Sequence, residues 1–216
     1  LHALWQGLPD LSLGQLIAVL QHRGVGWGTT DEAASSIVSQ LAHEHPSLID
    51  DTSGPITATT IAPEHLVTLV NGFVVVRSAS APGRMPAVWR ASSIRKTGPG
   101  VPLVVTDGAG VEHRLGVVAL LSRFSADPIP SGLTRGSVGA ARWLVLFEDG
   151  GRAVVGQRIR VWTQNRRDVD VATYTWERIL SCEPGEDMQI TPPSGGAPVA
   201  VGRVERVLPL EAGDAG

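Results

Sequence analysis

Residues 143–162, WLVLFEDGGRAVVGQRIRVW, decide the fold. Asp149-Gly150 is a hairpin-turn dipeptide between two apolar runs. Beyond Gly156 the residues alternate, with Ile159 and Val161 pointing one way and Arg158 and Arg160 the other. Period two marks a half-buried strand. Two further segments, 102–121 (PLVVTDGAGVEHRLGVVALL) and 189–208 (QITPPSGGAPVAVGRVERVL), follow the same plan of strand, Gly-containing turn and strand. In all three, two glycines stand six apart: Gly110 and Gly116, Gly150 and Gly156, Gly196 and Gly202. Hairpins recurring at roughly forty-residue intervals predict a mainly antiparallel β barrel or sandwich, with duplication of one unit as its candidate origin.

Toward the N-terminus the periodicity changes. Leu13, Leu16, Ile17 and Leu20 stand at i, i+3, i+4 and i+7, an amphipathic helix started by Asp10 or Ser12 and stopped by Gly24. Thr29 with Glu32 three residues on is a capping-box pattern for a second helix over about 30–44, whose face is Ala34, Ile37, Val38 and Leu41. Thr60 and Pro63 predict a short third helix over 61–70, and Asn71-Gly72 then turns into a strand over 73–77. The fold expected is α+β, with a helical subdomain over 1–55 and a β-rich domain over 56–216 that the short helix opens. The Pro/Gly cluster 128–139 reads as a flexible loop or lid.

Composition narrows the class. A chain of 216 residues buries enough surface to need no disulfide or metal, and the lone Cys182 excludes a disulfide scaffold and every multi-Cys metal site. It also points to a reducing, cytoplasmic setting. No apolar run approaches the roughly 20 residues of a membrane helix, and no basic and apolar leader opens the chain, so neither membrane nor secretion is expected. Seventeen of the eighteen basic residues are Arg, as a GC-rich bacterial genome would encode. The formal net charge of −3 hides a pattern: residues 1–76 carry −6, residues 77–167 carry +9, and residues 168–216 carry −6. Either the basic middle faces an anionic partner or it packs against the chain's own acids.

His43-Glu44-His45 puts two imidazoles on opposite sides of a helix, so no metal site is expected, and no cofactor motif occurs. Lys96-Thr97 lacks the glycines of a phosphate loop. Gly136-Ser137-Val138-Gly139 is one residue short of a nucleophile elbow and precedes a strand, so a loop serine is the better account. Asp168 and Asp170 share one face of a strand about 7 Å apart, the spacing at which two carboxylates divide acid and base roles; after Arg166 and Arg167 they equally make a polar turn.

The strongest signal is the set Trp89, Arg90, Arg95, Lys96, Arg158, Arg160, Trp162, Arg166 and Arg167. Guanidinium groups meet phosphates while aromatic rings stack on bases, which is how single-strand and nucleotide binders work. Trp162 shares strand parity with Arg158 and Arg160, so it is either exposed for a ligand or covered. The acidic helices lack the basic side chains of a DNA-reading helix and suit a protein partner. The reading is a non-catalytic intracellular bacterial binding or adaptor protein, taking an anionic ligand or nucleic acid on its basic β-rich region. A hydrolase or transferase built on Asp168 and Asp170, and a subunit of a larger assembly, are the alternatives.

Overall fold

A computed structural model describes residues 1–50, 54–164, 168–193 and 195–212. It divides into two units, Leu1–Pro82 with Ala87–Phe124, and Gly83–Pro86 with Ser125–Gly216. Helix gives way to strand between residues 44 and 56, where the sequence changes texture, but the helices belong to the same unit as the first six strands.

In the first unit the helices are α1 (His2–Gly7), α2 (Leu13–His22) and α3 (Asp31–Glu44). Ser12 caps α2 with a capping box: Gln15 Oε1 accepts from Ser12 N at 2.8 Å while Ser12 Oγ accepts from Gln15 N. Thr30, not Thr29, caps α3, because the Thr29 hydroxyl is occupied in closing the preceding loop onto Gly24 O and Gly26 N. Only half of the α2 stripe reaches the helical core. Leu16 and Leu20 pack with Leu4 and Leu41, whereas Leu13 and Ile17 are each 47% exposed.

The segment after α3 ties the helices to the sheet. Ile49 and Thr97 exchange two N–H···O bonds of 2.8 Å. Gly7 and Gly98 permit backbone approaches that a side chain would block: a Cβ would lie 2.1 Å from His45 O at the first and from Ser47 O at the second. His45 Nδ1 lies 3.3 Å from both Leu121 O and Ser122 Oγ.

Strands β1 (Ile56–Ile61), β2 (His65–Val70), β3 (Phe73–Ser78), β4 (Ala87–Ile94), β5 (Pro102–Asp107) and β6 (Glu112–Arg123) pair in sequence order, and β6 returns to β1 to close an antiparallel barrel. Alternate residues such as Ala58, Val67, Leu69, Val74, Val105 and Leu121 fill it. The short helix expected over 61–70 is therefore corrected to the end of β1, a turn and β2. Its apolar run is rich in β-branched residues (Val67, Thr68, Val70) that pair across strands, as Thr57 and Thr68 do. Closure needs a kink in β6. Gly116 has φ +100°, and a Cβ there would stand 2.8 Å from Ile61 O and Pro63 O. Beside it the buried Thr60 hydroxyl reaches Leu115 O at 2.8 Å and Pro63 O at 3.0 Å.

The second unit holds β7 (Arg142–Phe147), β8 (Arg152–Val155), β9 (Ile159–Gln164), β10 (Val169–Tyr174), β11 (Arg178–Ser181), β12 (Asp187–Thr191) and β13 (Val199–Glu211). They form one curled antiparallel sheet in the order β10-β9-β8-β7-β13-β12-β11. Strands β10 and β11 are consecutive in sequence yet stand at opposite ends of the sheet. Trp176, in the link between them, is fully buried and donates from Nε1 to Gly156 O at 2.9 Å. The 128–139 segment is not a free lid: Leu133 and Val138 enter the core, and residues 132–135 run along β11 through Gly132 N–Ile179 O, Ile179 N–Leu133 O and Arg135 N–Glu177 O bonds. The three matching Gly spacings have different causes. Gly116 kinks a strand, Gly156 makes room for the Arg142 side chain, and Gly202 lies under the Phe147 ring. No helix among the described residues is long and apolar enough to cross a membrane.

Gly116→Ala is expected to cost about 1–3 kcal/mol in urea unfolding, from a strained φ and two carbonyl clashes. Gly108→Ala, whose Cβ meets nothing within 4 Å, should change stability by less than about 0.5 kcal/mol. Equal effects at the two sites would show that the kink does not control closure.

Candidate functional site

The Arg and Trp residues singled out by the sequence are shared between the two units. Trp89 and Arg90 are adjacent on β4 and so face opposite ways. Trp89 turns into the barrel, while the Arg90 guanidinium lies 4.8 Å from the centre of the Phe73 ring outside it. Arg95 pairs with Glu112 at 2.7 Å, and Lys96 is exposed. In the second unit Arg158 is exposed and Arg160 half-buried, and Trp162 is only 2% exposed. Its face is covered by the unit's own Gly83–Pro86 segment. Trp162 Nε1 donates to Gly83 O at 2.8 Å, and the Arg152 guanidinium donates to Pro86 O. Burial pushes the Arg152 pKa down. Arg166 and Arg167 lie outside the described residues. Trp162 is thus held by the chain itself, and the seven described residues are divided between the two units.

At the β5–β6 turn a His–Asp pair emerges that the sequence reading passed over. Asp107 Oδ1 accepts from Ala109 N and Val111 N, both at 2.9 Å, and Asp107 Oδ2 lies 2.8 Å from His113 Nε2. The His113 ring stacks against Trp89, with centroids 4.6 Å apart and planes at 33°. The hydrogen bond from His113, followed by that from Val111 N–H, holds the Asp107 carboxyl below the usual carboxylate range. An Asp and a His six residues apart across a Gly turn fall on one side of a hairpin, which is the signal that would have found the pair. Asp107 Oδ1 is committed to the turn and Oδ2 to His113, so this carboxylate holds the hairpin.

The second unit carries an open cleft of about 780 Å³. Thr134 and Arg135 enter it from the 132–137 segment, Glu177 and Arg178 from the start of β11, and Thr191 from the end of β12. Their backbones are fixed by the Arg135 N–Glu177 O bond of 2.9 Å and the Glu177 N–Thr191 O bond of 2.8 Å. Their charged ends are not committed, since among the described residues Arg135, Arg178 and Glu177 make no ion pair. Arg135, Glu177 and Arg178 all line the cleft and are exposed. Sequence reasoning missed it because its two Arg residues lie far apart in the chain, one of them inside the segment read as a lid.

Other candidates fall elsewhere. Asp168 and Asp170 lie at and on the exposed β10, away from the cleft lining. The Ser137 hydroxyl donates to Thr134 O at 2.9 Å, a local turn bond. Cys182 is buried, and burial pushes its thiol up to about 12. Of the ion pairs seen, Arg23–Glu44 and Arg95–Glu112 each join residues within one charge block, and Arg203–Glu148 joins the acidic last block to the basic middle. No protein-family model matches the chain, nor does any curated protein or any solved structure.

Because the folded pKa of Asp107 is depressed, its contribution to stability is fully present above the unfolded value near 3.9 and fades as pH falls through the lower folded value. Asp107→Asn should lower the melting temperature at pH 7, with the gap from the parent closing toward pH 3 or below. A gap independent of pH in that range would deny the carboxylate this role.

Proposed function

We propose that this is a non-catalytic binding protein whose second unit takes a small anionic ligand in the cleft between Arg135 and Arg178. The supporting observation is that two exposed Arg residues, which make no ion pair among the described residues, line one concavity whose backbone is already hydrogen-bonded in place. Planar guanidinium forks match the oxygens of carboxylates and phosphates, and about 780 Å³ is the size of a small-molecule site. A single buried thiol fits the cytoplasm of a bacterial cell. The hydrolase or transferase reading gains no comparable support, because the cleft contains neither Asp168 nor Asp170.

Inorganic pyrophosphate, titrated by calorimetry, should bind the parent protein. Arg135→Ala and Arg178→Ala should each weaken it by about 10-fold or more, the scale of one charge-assisted hydrogen bond. Equal binding by the parent and the double variant overturns the proposal. A single-stranded oligonucleotide whose affinity falls steeply with salt, and which ignores both substitutions, would instead favour nucleic acid on another basic surface.

One observation favours an adaptor role for the helical part as well. Leu13 and Ile17 stand one turn apart on α2 and are exposed, on a helix without acidic residues in the acidic stretch 1–76. A protein partner with a basic, partly apolar surface suits that face. Leu13→Lys with Ile17→Lys should shift stability by less than about 0.5 kcal/mol, whereas Leu16→Ala should cost about 2–5 kcal/mol. A large loss in the double Lys variant would mean that the face is structural and not open for docking.

A further inference from the structure

We infer that the cleft between Arg135 and Arg178 selects a zwitterion, an α-amino acid with an apolar side chain, over a bare polyanion. This rests on the cleft being a ligand site, as proposed above, and concerns what its other side chains select.

Three segments of chain lie side by side there. Arg178 is the direct antiparallel partner of Thr134 on one side and of Thr191 on the other. Directly opposed residues project from the same face of a sheet, and neighbouring strands stand about 4.8 Å apart. Arg178 is therefore flanked by two hydroxyl side chains, and all three residues line the cleft.

Both hydroxyls spend their protons inside the protein. A hydroxyl has one proton to give and two lone pairs. Ser137 Oγ gives its proton to Thr134 O at 2.9 Å, so in the 3.1 Å contact between the two hydroxyls Thr134 Oγ1 is the donor. Thr191 Oγ1 donates to Arg178 O at 3.4 Å. What each threonine keeps for a ligand is a lone pair. Glu177 adds a third acceptor. It is exposed in the cleft and makes neither an ion pair nor a side-chain hydrogen bond among the described residues.

The cleft thus sets two Arg donors among three acceptors. Pyrophosphate offers chiefly acceptor oxygens, which suit the Arg residues but meet the carboxylate and the threonine lone pairs as like partners. A carboxylate with an ammonium group on the adjoining carbon answers both sets. One wall is apolar as well. Leu180, next but one to Arg178 on β11, is 39% exposed and lines the cleft with Pro192 and Pro193. An apolar side chain on the ligand would cover that wall.

Calorimetric titration of the parent protein with L-leucine, isocaproate and isoamylamine tests this. Isocaproate is leucine without its ammonium group, and isoamylamine is leucine without its carboxylate. Leucine is expected to bind about 10-fold or more tightly than either, the scale of one charge-assisted hydrogen bond. Glu177→Gln should weaken leucine by about 10-fold and tighten pyrophosphate. A merely structural effect would move both ligands the same way. Isocaproate binding as tightly as leucine, or a leucine affinity unmoved by Glu177→Gln, overturns the inference. If pyrophosphate binding still depends on Arg135 and Arg178 in that case, the anion site itself stands. Absence of binding by leucine and pyrophosphate alike overturns both. Should Glu177→Gln lose the parent's far-UV spectrum, the comparison of the three ligands on the parent decides alone.

Discussion

The first unit depends on one backbone event, the return of β6 to β1. Six strands close into a barrel only if the last can bend to meet the first, and β6 bends where Gly116 takes a φ that other residues avoid. The buried Thr60 hydroxyl sits at the same place, within reach of the carbonyls of Pro63 and Leu115. From this closure the rest of the unit takes its position. The β5–β6 turn with Asp107 and His113 hangs from the strand before the kink. Leu121 and Ser122, which receive His45 from the end of α3, lie on the strand after it. One glycine thus relates the helical layer to the hairpin that carries Asp107 and His113.

The second unit solves its edges in another way. Trp176 carries the chain from one end of the curled sheet to the other and secures its crossing with a single indole hydrogen bond. Residues 132–135 then finish the β11 end. The same short segment, made rigid by that pairing, brings Arg135 beside Glu177 and Arg178. The candidate ligand site is therefore a by-product of edge protection. Of the charge blocks in the sequence, Arg23–Glu44 and Arg95–Glu112 pair within a block and Arg203–Glu148 joins two of them.

What could be read in advance was local. Asn71-Gly72 and Asp149-Gly150 mark real turns because their chemistry acts over two residues, and Ser12 with Gln15 starts a helix for the same reason. The α+β class follows from such signals. Residues 61–70 misled because HLVTLV satisfies an apolar helix start and a strand alike; pairing with β1 and β3 decides it, and pairing is not visible along one chain. Leu13 and Ile17 fit the helical period, yet periodicity does not say how much of a stripe the neighbouring helices cover. Parity correctly put Trp162 on the face of Arg160 and left open whether that face is covered; Gly83, nearly eighty residues away, covers it. The cleft failed to appear for the same reason, since its walls are joined only by sheet topology.

The Gly83–Pro86 segment has a bearing on how this chain can be dissected. It lies between strands of the barrel in sequence, yet it belongs to the second unit, where its carbonyls accept from Trp162 and Arg152. A fragment beginning at Ser125 contains every strand of the second sheet but leaves an indole and a guanidinium without their acceptors. The natural cut between the units is therefore not one point in the chain, and a segment from Ser125 onward lacks part of its own unit. During synthesis the earlier part is made first, so the cover for Trp162 exists before Trp162 does.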